Sequence, residues 1–272
     1  MGLLSELKLS VPWGHIAVKA WGSPQGPPVL CLHGWLANAN SFDRLIPLLP
    51  QTFYYVAMDF GGHGLSSHHH PGFSYHQQDY VNEVCRVVSA LRWKRFSILA
   101  HSFGSTIGGM FSCIFPEMVD KLIVLDSLPF LLDFPEASNL LVYRRRSIER
   151  VLQVEAKQQK PPKVVSPEEM LQSFLKNNVQ VDEECGRLLL ERGTTKVAEG
   201  VVLNRDQRLG LSPHQWCRWK GPVASKGLKV DLFRTLAQWS APGTLSPRIT
   251  LNSLARSSWP IFASKSRLES SS

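Results

Sequence analysis

The sequence predicts an α/β protein with a mostly parallel sheet, flanking helices and a helical cap. Short apolar runs that suit buried strands alternate with helical patterns across residues 28–127, and this alternation is typical of parallel strands joined by crossover helices. Each run also ends at or just before a polar residue, and these residues are His33, Asp59, Ser102 and Asp126. Such sheets bind ligands at the carboxyl ends of their strands, so we expect a functional site at that edge.

The individual elements follow from local patterns. Residues 5–21 alternate loosely around a Pro-Trp-Gly break and predict a β-hairpin. The apolar runs VLCL, FYYVAMDF, FSILA and KLIVLDS predict strands. Apolar residues at helical spacing predict a helix over 74–92, and STIGGMFSCIF predicts a second one. In SFDRLIPLLP we expect a helical turn with Ser41 as its N-cap and Pro50 as its end.

From about residue 135 the pattern changes to helices, which suggests a cap. The predicted segments are NLLVYRRRSIERVLQVEA, then SPEEMLQSFLKNN with a capping box at Ser166 and Glu169, then DEECGRLLLERG ending on Gly193. The predicted division is therefore a core over residues 1–134, a helical cap over 135–205 and an atypical tail over 206–272.

The last part of the chain differs in composition from the rest. Residues 211–272 carry 12 serines and a net charge of +7, out of +8 for the whole chain. Apolar residues there fit neither the helical nor the strand period, which predicts poor order and an incomplete C-terminal part of the sheet. The basic residues follow no nucleic-acid-binding motif, so no nucleic-acid partner is expected.

The sequence also indicates where in the cell the protein is expected to lie. No apolar run approaches the roughly 20 residues of a transmembrane helix, and the N-terminus lacks the pattern of a secretory signal. The five scattered cysteines have no metal or redox spacing and predict reduced thiols in a cytoplasmic protein without a metal site. One weaker signal is KLSVPWGHI, with Lys8, Leu9, His15 and Ile16, which resembles an N-terminal peroxisomal nonapeptide; the alternative is a simple β-hairpin.

The stretch AHSFG, residues 100–104, is close to the G-x-S-x-G turn of hydrolases. A strained strand-turn-helix exposes a serine hydroxyl, and small residues such as Ala100 and Gly104 let the turn close. Ser102 is the candidate nucleophile, and the amide of Phe103 is one candidate oxyanion donor. The second candidate is the amide of Trp35, which follows His33-Gly34 at the end of an earlier strand. The alternative is an ordinary serine at a strand-helix turn.

Four motifs in this order, LCLHGW, MDFGGHGLSS, ILAHSFGST and LIVLDS, resemble the α/β-hydrolase fold over roughly residues 5–205. More narrowly, VPWGHIA and NSFDRLIPLLP resemble the mammalian serine hydrolase-like proteins. The resemblance implies a cap-domain hydrolase acting on small ester-like substrates with no metal or organic cofactor. It also implies the oxyanion and nucleophile roles assigned above to Trp35, Phe103 and Ser102.

The sequence departs from this family after the elbow. The family places an acid and then a histidine on later loops, but the only histidine after His101 is His214, with no strand pattern before it. Asp126 is a candidate displaced acid. Of the other histidines, His101 and His63 are expected to be structural and His68, His69 and His70 to form a solvated loop. Two functions stay open: a serine hydrolase, or a non-catalytic pseudo-hydrolase that binds a ligand or partner.

Overall fold

A computed structural model of the chain describes residues 4–127, 163–179 and 181–210, with isolated helical positions between residues 145 and 156. Its main sheet has six strands in the order β1-β2-β4-β3-β5-β6. The strands are β1 (Leu4–Val11), β2 (Gly14–Trp21), β3 (Pro28–Leu32), β4 (Tyr54–Met58), β5 (Phe96–His101) and β6 (Val119–Leu125). The last four are parallel, whereas β1 and β2 form the predicted antiparallel hairpin. The predicted α/β class is confirmed.

One face of this sheet is covered by helices α1 (Gln77–Ala90) and α2 (Phe103–Ile114). The helices and the strands share one apolar cluster, in which alternate residues of β2, β3, β4 and β5 meet α1 valines and α2 residues such as Ile107 and Phe111. Because side chains alternate across a strand, the intervening strand residues face the opposite side. This packing fixes α2 directly beneath the carboxyl end of β5.

The opposite face packs against the segment that follows β3. This segment forms two short 3-10 turns, Ala39–Phe42 and Ile46–Leu48, and buries Phe42 and Ile46 in a second apolar cluster. The prediction of Ser41 as N-cap is wrong. Asn38 caps the first turn because its side-chain oxygen accepts from the Asn40 amide at 3.1 Å, whereas Ser41 lies inside the turn.

The predicted cap is described in its second half. Helices α3 (Pro167–Asn177) and α4 (Glu183–Gly193) lie where they were expected, and the capping box at Ser166 and Glu169 is present. A hairpin, β7 (Thr194–Val197) and β8 (Gly200–Leu203), was not predicted, because its strands have only four residues each. Within the described residues, no helix combines the length and the apolar character needed to cross a membrane.

Two predictions fall largely outside the described residues: the cap helix over 139–156, and the tail beyond residue 210. The division into a core, a cap and a tail therefore stays a prediction. Residues 207–210, at the start of that predicted tail, form a 3-10 turn. Among the described strands, β6 forms one edge of the main sheet and β1 the other.

Candidate active site

Ser102 lies at a strained turn between β5 and α2. Its φ of 49° and ψ of −117° belong to a region that residues with a side chain rarely adopt. The turn is held from both sides, since the Ser102 amide donates to the Leu125 carbonyl at 3.1 Å and the Ser105 amide donates to the Ser102 carbonyl at 2.9 Å. The Ser105 hydroxyl adds a bond to the Ala100 carbonyl at 3.0 Å. These contacts stabilise a backbone geometry that would otherwise relax.

Gly104 and Ala100, the small residues on either side of Ser102, fit at their positions for different structural reasons. A Cβ on Gly104 would collide with the carbonyl oxygen of Leu32 and lie 2.8 Å from that of His33, so only glycine fits where α2 begins beneath β3. Ala100 is fully buried and packs in the first apolar cluster. Alanine in place of the usual glycine is therefore accommodated by the core.

The loop after β3 packs onto the serine turn. A Cβ placed on Gly34 would lie 2.9 Å from Nδ1 of His101 and 3.5 Å from Cβ of Ser102. His33 holds this loop: its Nε2 accepts from the Phe60 amide at 3.1 Å, and its Nδ1 therefore carries the proton donated to the Gly34 carbonyl at 2.7 Å. Burial lowers the pKa of His33 to about 3, so this pair of bonds persists at neutral pH.

Trp35 and Phe103, the residues predicted to supply oxyanion amides, are in contact. Their rings pack edge to face with centroids 4.9 Å apart, and the Trp35 ring also lies against His63 at 5.1 Å. His63 is fully buried and its Nδ1 donates to the Gly61 carbonyl at 3.1 Å. Trp35, in the loop after β3, and Phe103, the first residue of α2, are thus fixed by one aromatic cluster, a rigid arrangement of the kind that an oxyanion site needs.

Asp126 is the first residue after β6 and, like Ser102, has a positive φ, of 50°. It directly follows Leu125, the residue whose carbonyl accepts from the Ser102 amide. Its side chain is largely exposed, and partial burial raises the pKa of its carboxyl above the usual value. The backbone therefore brings the candidate acid and the candidate nucleophile to adjoining strand ends.

Asp59, the remaining polar residue at a strand end, has a structural role. Its carboxylate is fully buried and accepts from the amides of Ala39 and Leu65, each at 2.8 Å, and from Nε of Arg192 at 2.8 Å. Arg192 is only 4% exposed and also binds both carboxylate oxygens of Glu6. Burial raises the pKa of Asp59, and the Arg192 guanidinium opposes that shift. Asp59 therefore anchors the end of α4 to the core.

A second anchor lies between residues 206–210 and the loop before α1. Arg208 donates to the carbonyls of His69, His70 and Phe73 at 2.6 to 2.9 Å. Its partner Asp206 accepts from the Tyr75 hydroxyl at 2.9 Å. Neither anchor could be predicted from local sequence patterns, because each joins residues more than 120 positions apart.

The prediction of a solvated His68–His70 loop is wrong for its central residue. Nε2 of His69 lies 3.1 Å from the buried Glu83 carboxylate, and its ring stacks on Tyr75 with centroids 4.4 Å apart. His68 also has a partner, since its Nε2 donates to the Asn204 carbonyl at 2.7 Å. No group of His, Cys, Asp or Glu within the described residues is arranged to hold a metal ion.

Eight of the nine histidines lie in the described part of the chain, and within that part no histidine ring forms a hydrogen bond with the Ser102 hydroxyl. His33 uses both ring nitrogens to hold the loop after β3. His101 is buried beside Ser102, and burial lowers its pKa to about 4. The ninth, His214, lies outside the described residues.

The strand order, the strained serine turn and the His-Gly loop packed against it define an α/β hydrolase. The chain belongs to the α/β hydrolase fold family, whose model matches residues 27–193. It is 68% identical over 209 residues to the serine hydrolase-like protein of Mus musculus, covering 77% of this chain and 67% of that protein. It is 71% identical over 208 residues to serine hydrolase-like protein 2 of Homo sapiens, covering 76% and 66%. The chain thus spans about two thirds of the length of these relatives.

Solved structures give the same fold. A hypothetical protein from Pseudomonas aeruginosa PAO1 superposes with a TM-score of 0.68 and 34% identity, over 75% of this chain and 71% of that one. The thioesterase domain from the curacin biosynthetic pathway superposes with a TM-score of 0.65 at 22% identity, over 79% and 77%. At that identity the second likeness shows the fold alone.

Proposed function

We propose that this chain is a serine hydrolase that acts on small ester-like substrates, with Ser102 as its nucleophile. The observation that carries the proposal is the strained backbone of Ser102 at the β5–α2 turn, with Gly34 packed against it. Strain of this kind persists only where surrounding contacts maintain it, and it is concentrated at functional sites. The names of the mammalian relatives support a hydrolase as the general class.

In the proposed reaction the Ser102 hydroxyl attacks the ester carbonyl carbon and forms a new C–O bond. The amides of Phe103 and Trp35 then donate to the developing oxyanion, and the N-terminus of α2 favours negative charge at the same place. The hydroxyl proton passes to a base and then to the departing alcohol when the ester C–O bond breaks. Water hydrolyses the acyl-enzyme to release the acid. Asp126 is the candidate carboxylate that orients the base.

One observation favours a second function, a pseudo-hydrolase that binds a ligand or a partner without turnover. Among the described residues, no histidine is hydrogen-bonded to the Ser102 hydroxyl. Without a base, such serine sites keep a residual rate of only about 10³- to 10⁴-fold over water, from oxyanion stabilisation and binding. The same loop and serine turn would then serve binding.

A fluorophosphonate probe separates the two functions, because it reacts only with an activated serine. We expect labelling of the full chain, a peptide adduct at Ser102 by mass spectrometry, and loss of labelling in Ser102→Ala. Ser112→Ala is a matched control on α2, since the Ser112 hydroxyl donates to the Gly108 carbonyl at 2.7 Å, within the helix itself. Absence of labelling in a sample with a native unfolding transition would support the pseudo-hydrolase instead.

We also propose a cytoplasmic location, and the peroxisome is the alternative. The nonapeptide-like segment lies in the β1–β2 hairpin, where Leu9 pairs with Ile16 and Ile16 is fully buried. This favours a structural explanation of the motif. Imaging of a fluorescent fusion checks it: import that is lost on substitution of Lys8, which is exposed on β1, would support a signal.

A further inference from the structure

A cavity of about 490 Å³ lies between the β1–β2 hairpin and the C-terminal end of α4. Its volume is within the range of small-molecule sites, roughly 300–1,000 Å³. The cavity is separate from the candidate active site, because β4 and β3 lie between β2 and β5 in the sheet. Three strand spacings of about 4.8 Å place β2 about 14 Å from the strand that leads to Ser102. The serine chemistry proposed above uses none of the residues that line this cavity.

The β1–β2 hairpin forms one wall of the cavity. Its antiparallel register pairs Glu6 with Lys19 and Lys8 with Ala17, and residues that are directly opposed in such a pair lie on the same face of the sheet. All four residues line the cavity. This wall therefore carries three charged side chains and one small apolar side chain.

Arg192, at the end of α4, brings a buried donor without an acceptor to the lining of the cavity. The residue is only 4% exposed, and its Nε and Nη1 donate to the carboxylates of Asp59 and Glu6. Within the ranges that the structure describes, Nη2 has no hydrogen-bond partner. A buried donor that lacks an acceptor costs free energy, and the cost is greatest for charged groups. A ligand oxygen that accepts from Nη2 would remove this cost.

Two further charges at the cavity are unpaired. The side chains of Lys8 and Glu191 are exposed, and neither forms a hydrogen bond or an ion pair with another described residue. The other cations of the lining are compensated, since Lys19 lies 2.7 Å from the Asp43 carboxylate and Arg192 binds the two carboxylates named above. The charges left for a ligand are therefore one ammonium and one carboxylate.

The balance of these charges determines the class of ligand. A ligand with a single negative charge would meet the carboxylates of Glu6 and Glu191, and one with a single positive charge would meet Lys8 and Lys19. A zwitterion satisfies both unpaired groups and adds no net charge to the cavity. Leu65 also lines the cavity and is 42% exposed, which favours an apolar group next to the charges.

We propose that this cavity binds a free α-amino acid with an apolar side chain. The ligand carboxylate accepts from Lys8 and from Nη2 of Arg192, as charge-assisted hydrogen bonds. The ligand ammonium donates to Glu191, and the apolar side chain packs on Leu65. Because these groups come together only in the folded chain, the bound amino acid stabilises the junction of the hairpin with α4.

The test uses three probes that share one side chain and differ in charge. L-leucine has both charges, N-acetyl-L-leucine has only the carboxylate, and L-leucinamide has only the ammonium group. Dissociation constants for the full chain are measured by calorimetry or ligand-observed NMR. Since a hydrogen bond to a charged group contributes about ten-fold in affinity, leucine should bind at least about ten-fold more tightly than either analogue.

Two single variants assign the groups that hold the ligand. Lys8→Met should weaken leucine and N-acetylleucine by about five- to ten-fold and leave leucinamide unchanged, since leucinamide has no carboxylate. Glu191→Gln should weaken leucine and leucinamide and leave N-acetylleucine unchanged. Both side chains are exposed, so the fold tolerates the changes. Lys196→Met and Glu199→Gln are matched controls, because these exposed charges belong to the β7–β8 hairpin and do not line the cavity.

The crossed pattern of the two variants would support the proposed site. Failure of leucine to bind, or an equal effect of Lys8→Met on leucine and leucinamide, would overturn it. Ser102→Ala should abolish fluorophosphonate labelling but leave leucine binding unchanged. Loss of leucine binding in Ser102→Ala would place the amino acid at the serine turn and also overturn the inference, which is otherwise independent of the proposed function.

Discussion

The Ser102 amide donates to the carbonyl oxygen of Leu125 at 3.1 Å, and this bond links the ends of β5 and β6. The two residues that follow the strands, Ser102 and Asp126, both have a positive φ. The hydrogen bond joins two adjoining strand ends that are both strained. The candidate nucleophile and the candidate acid therefore lie on one rigid unit. The position of Asp126 therefore bears directly on the proposed chemistry.

We predict that Asp126→Asn lowers kcat/KM for a small ester by at least about ten-fold, because an amide stabilises a charged base less well than a carboxylate does. The free energy of unfolding should change little, since the side chain is largely exposed. Asp120→Asn is the matched control at the other end of β6, where Asp120 pairs with Lys121. Equal kcat/KM values for the two variants would remove Asp126 from the mechanism.

A second prediction concerns the glycine at the start of α2. We expect Gly104→Ala to lower the free energy of unfolding by about 2–3 kcal/mol, because its Cβ would collide with backbone carbonyl oxygens of Leu32 and His33 that cannot move aside. Gly108→Ala is the control. Its Cβ would meet side-chain methyl groups at 3.1 to 3.5 Å, and the gain in helix propensity opposes that crowding.

Urea unfolding of the two variants gives the comparison, and fluorophosphonate labelling reports on the geometry of Ser102. A Gly104→Ala protein as stable as Gly108→Ala would mean that the turn at Ser102 does not depend on this close packing. In that event the strain at Ser102 would need another cause.

Local patterns predicted the fold and the centre of the candidate site. The strand ends at His33 and Ser102, the serine turn and the capping box at Ser166 all depend on residues within a few positions of one another, and each is present. The anchors were not predictable in this way. Asp59 reaches Arg192 across 133 positions and Asn38 reaches Leu189 across 151, and no periodic pattern reports such a pairing.

A polar residue at the end of a strand is not, by that position alone, shown to have a function in the site. Four polar residues lie at or just beyond the carboxyl ends of parallel strands, but two of them brace the loops. His33 holds Gly34, and Asp59 holds the amides of Ala39 and Leu65. Burial distinguishes the two groups: His33 and Asp59 are fully buried, whereas Asp126 is largely exposed and Ser102 is half-buried. Burial of a polar side chain depends on the folded chain and could not be predicted from the sequence at these positions.

The anchor between cap and core gives a third prediction. Arg192→Met should lower the free energy of unfolding by about 3–5 kcal/mol, because it leaves the Asp59 carboxylate buried without its cation. Arg187→Met on the same helix is the control, because the ion pairs of Arg187 with Glu183 and Glu168 are exposed, and such pairs contribute little.

The double variant Asp59→Asn/Arg192→Met tests the cause of that loss. If the uncompensated charge is responsible, removing the carboxylate should restore part of the stability, as measured by urea unfolding. A double variant less stable than Arg192→Met alone would show instead that Asp59 acts through its bonds to the Ala39 and Leu65 amides.

The last prediction concerns the stability of the folded chain at acidic pH. Burial lowers the pKa of His33 from 6.5 to about 3 and that of His101 to about 4, and it also lowers the pKa of His63. Below about pH 6.5 the unfolded chain binds protons at these residues and the folded chain does not, so stability falls as the pH drops toward 4. Each such histidine contributes a slope of about 1.4 kcal/mol per pH unit.

His33→Gln should therefore make the acid limb of the stability curve shallower by about 1.4 kcal/mol per pH unit between pH 6 and 4, although the variant is less stable at pH 8. Glutamine has a donor and an acceptor but cannot match both ring bonds, to the Gly34 carbonyl and from the Phe60 amide. His70→Gln is the control, because the His70 side chain is exposed. Unfolding free energies measured in urea from pH 4 to 8 give the slopes. Identical slopes for His33→Gln and the wild-type chain would mean that His33 takes up its proton in the folded state, and the loop after β3 would then be looser in acid than its buried bonds imply.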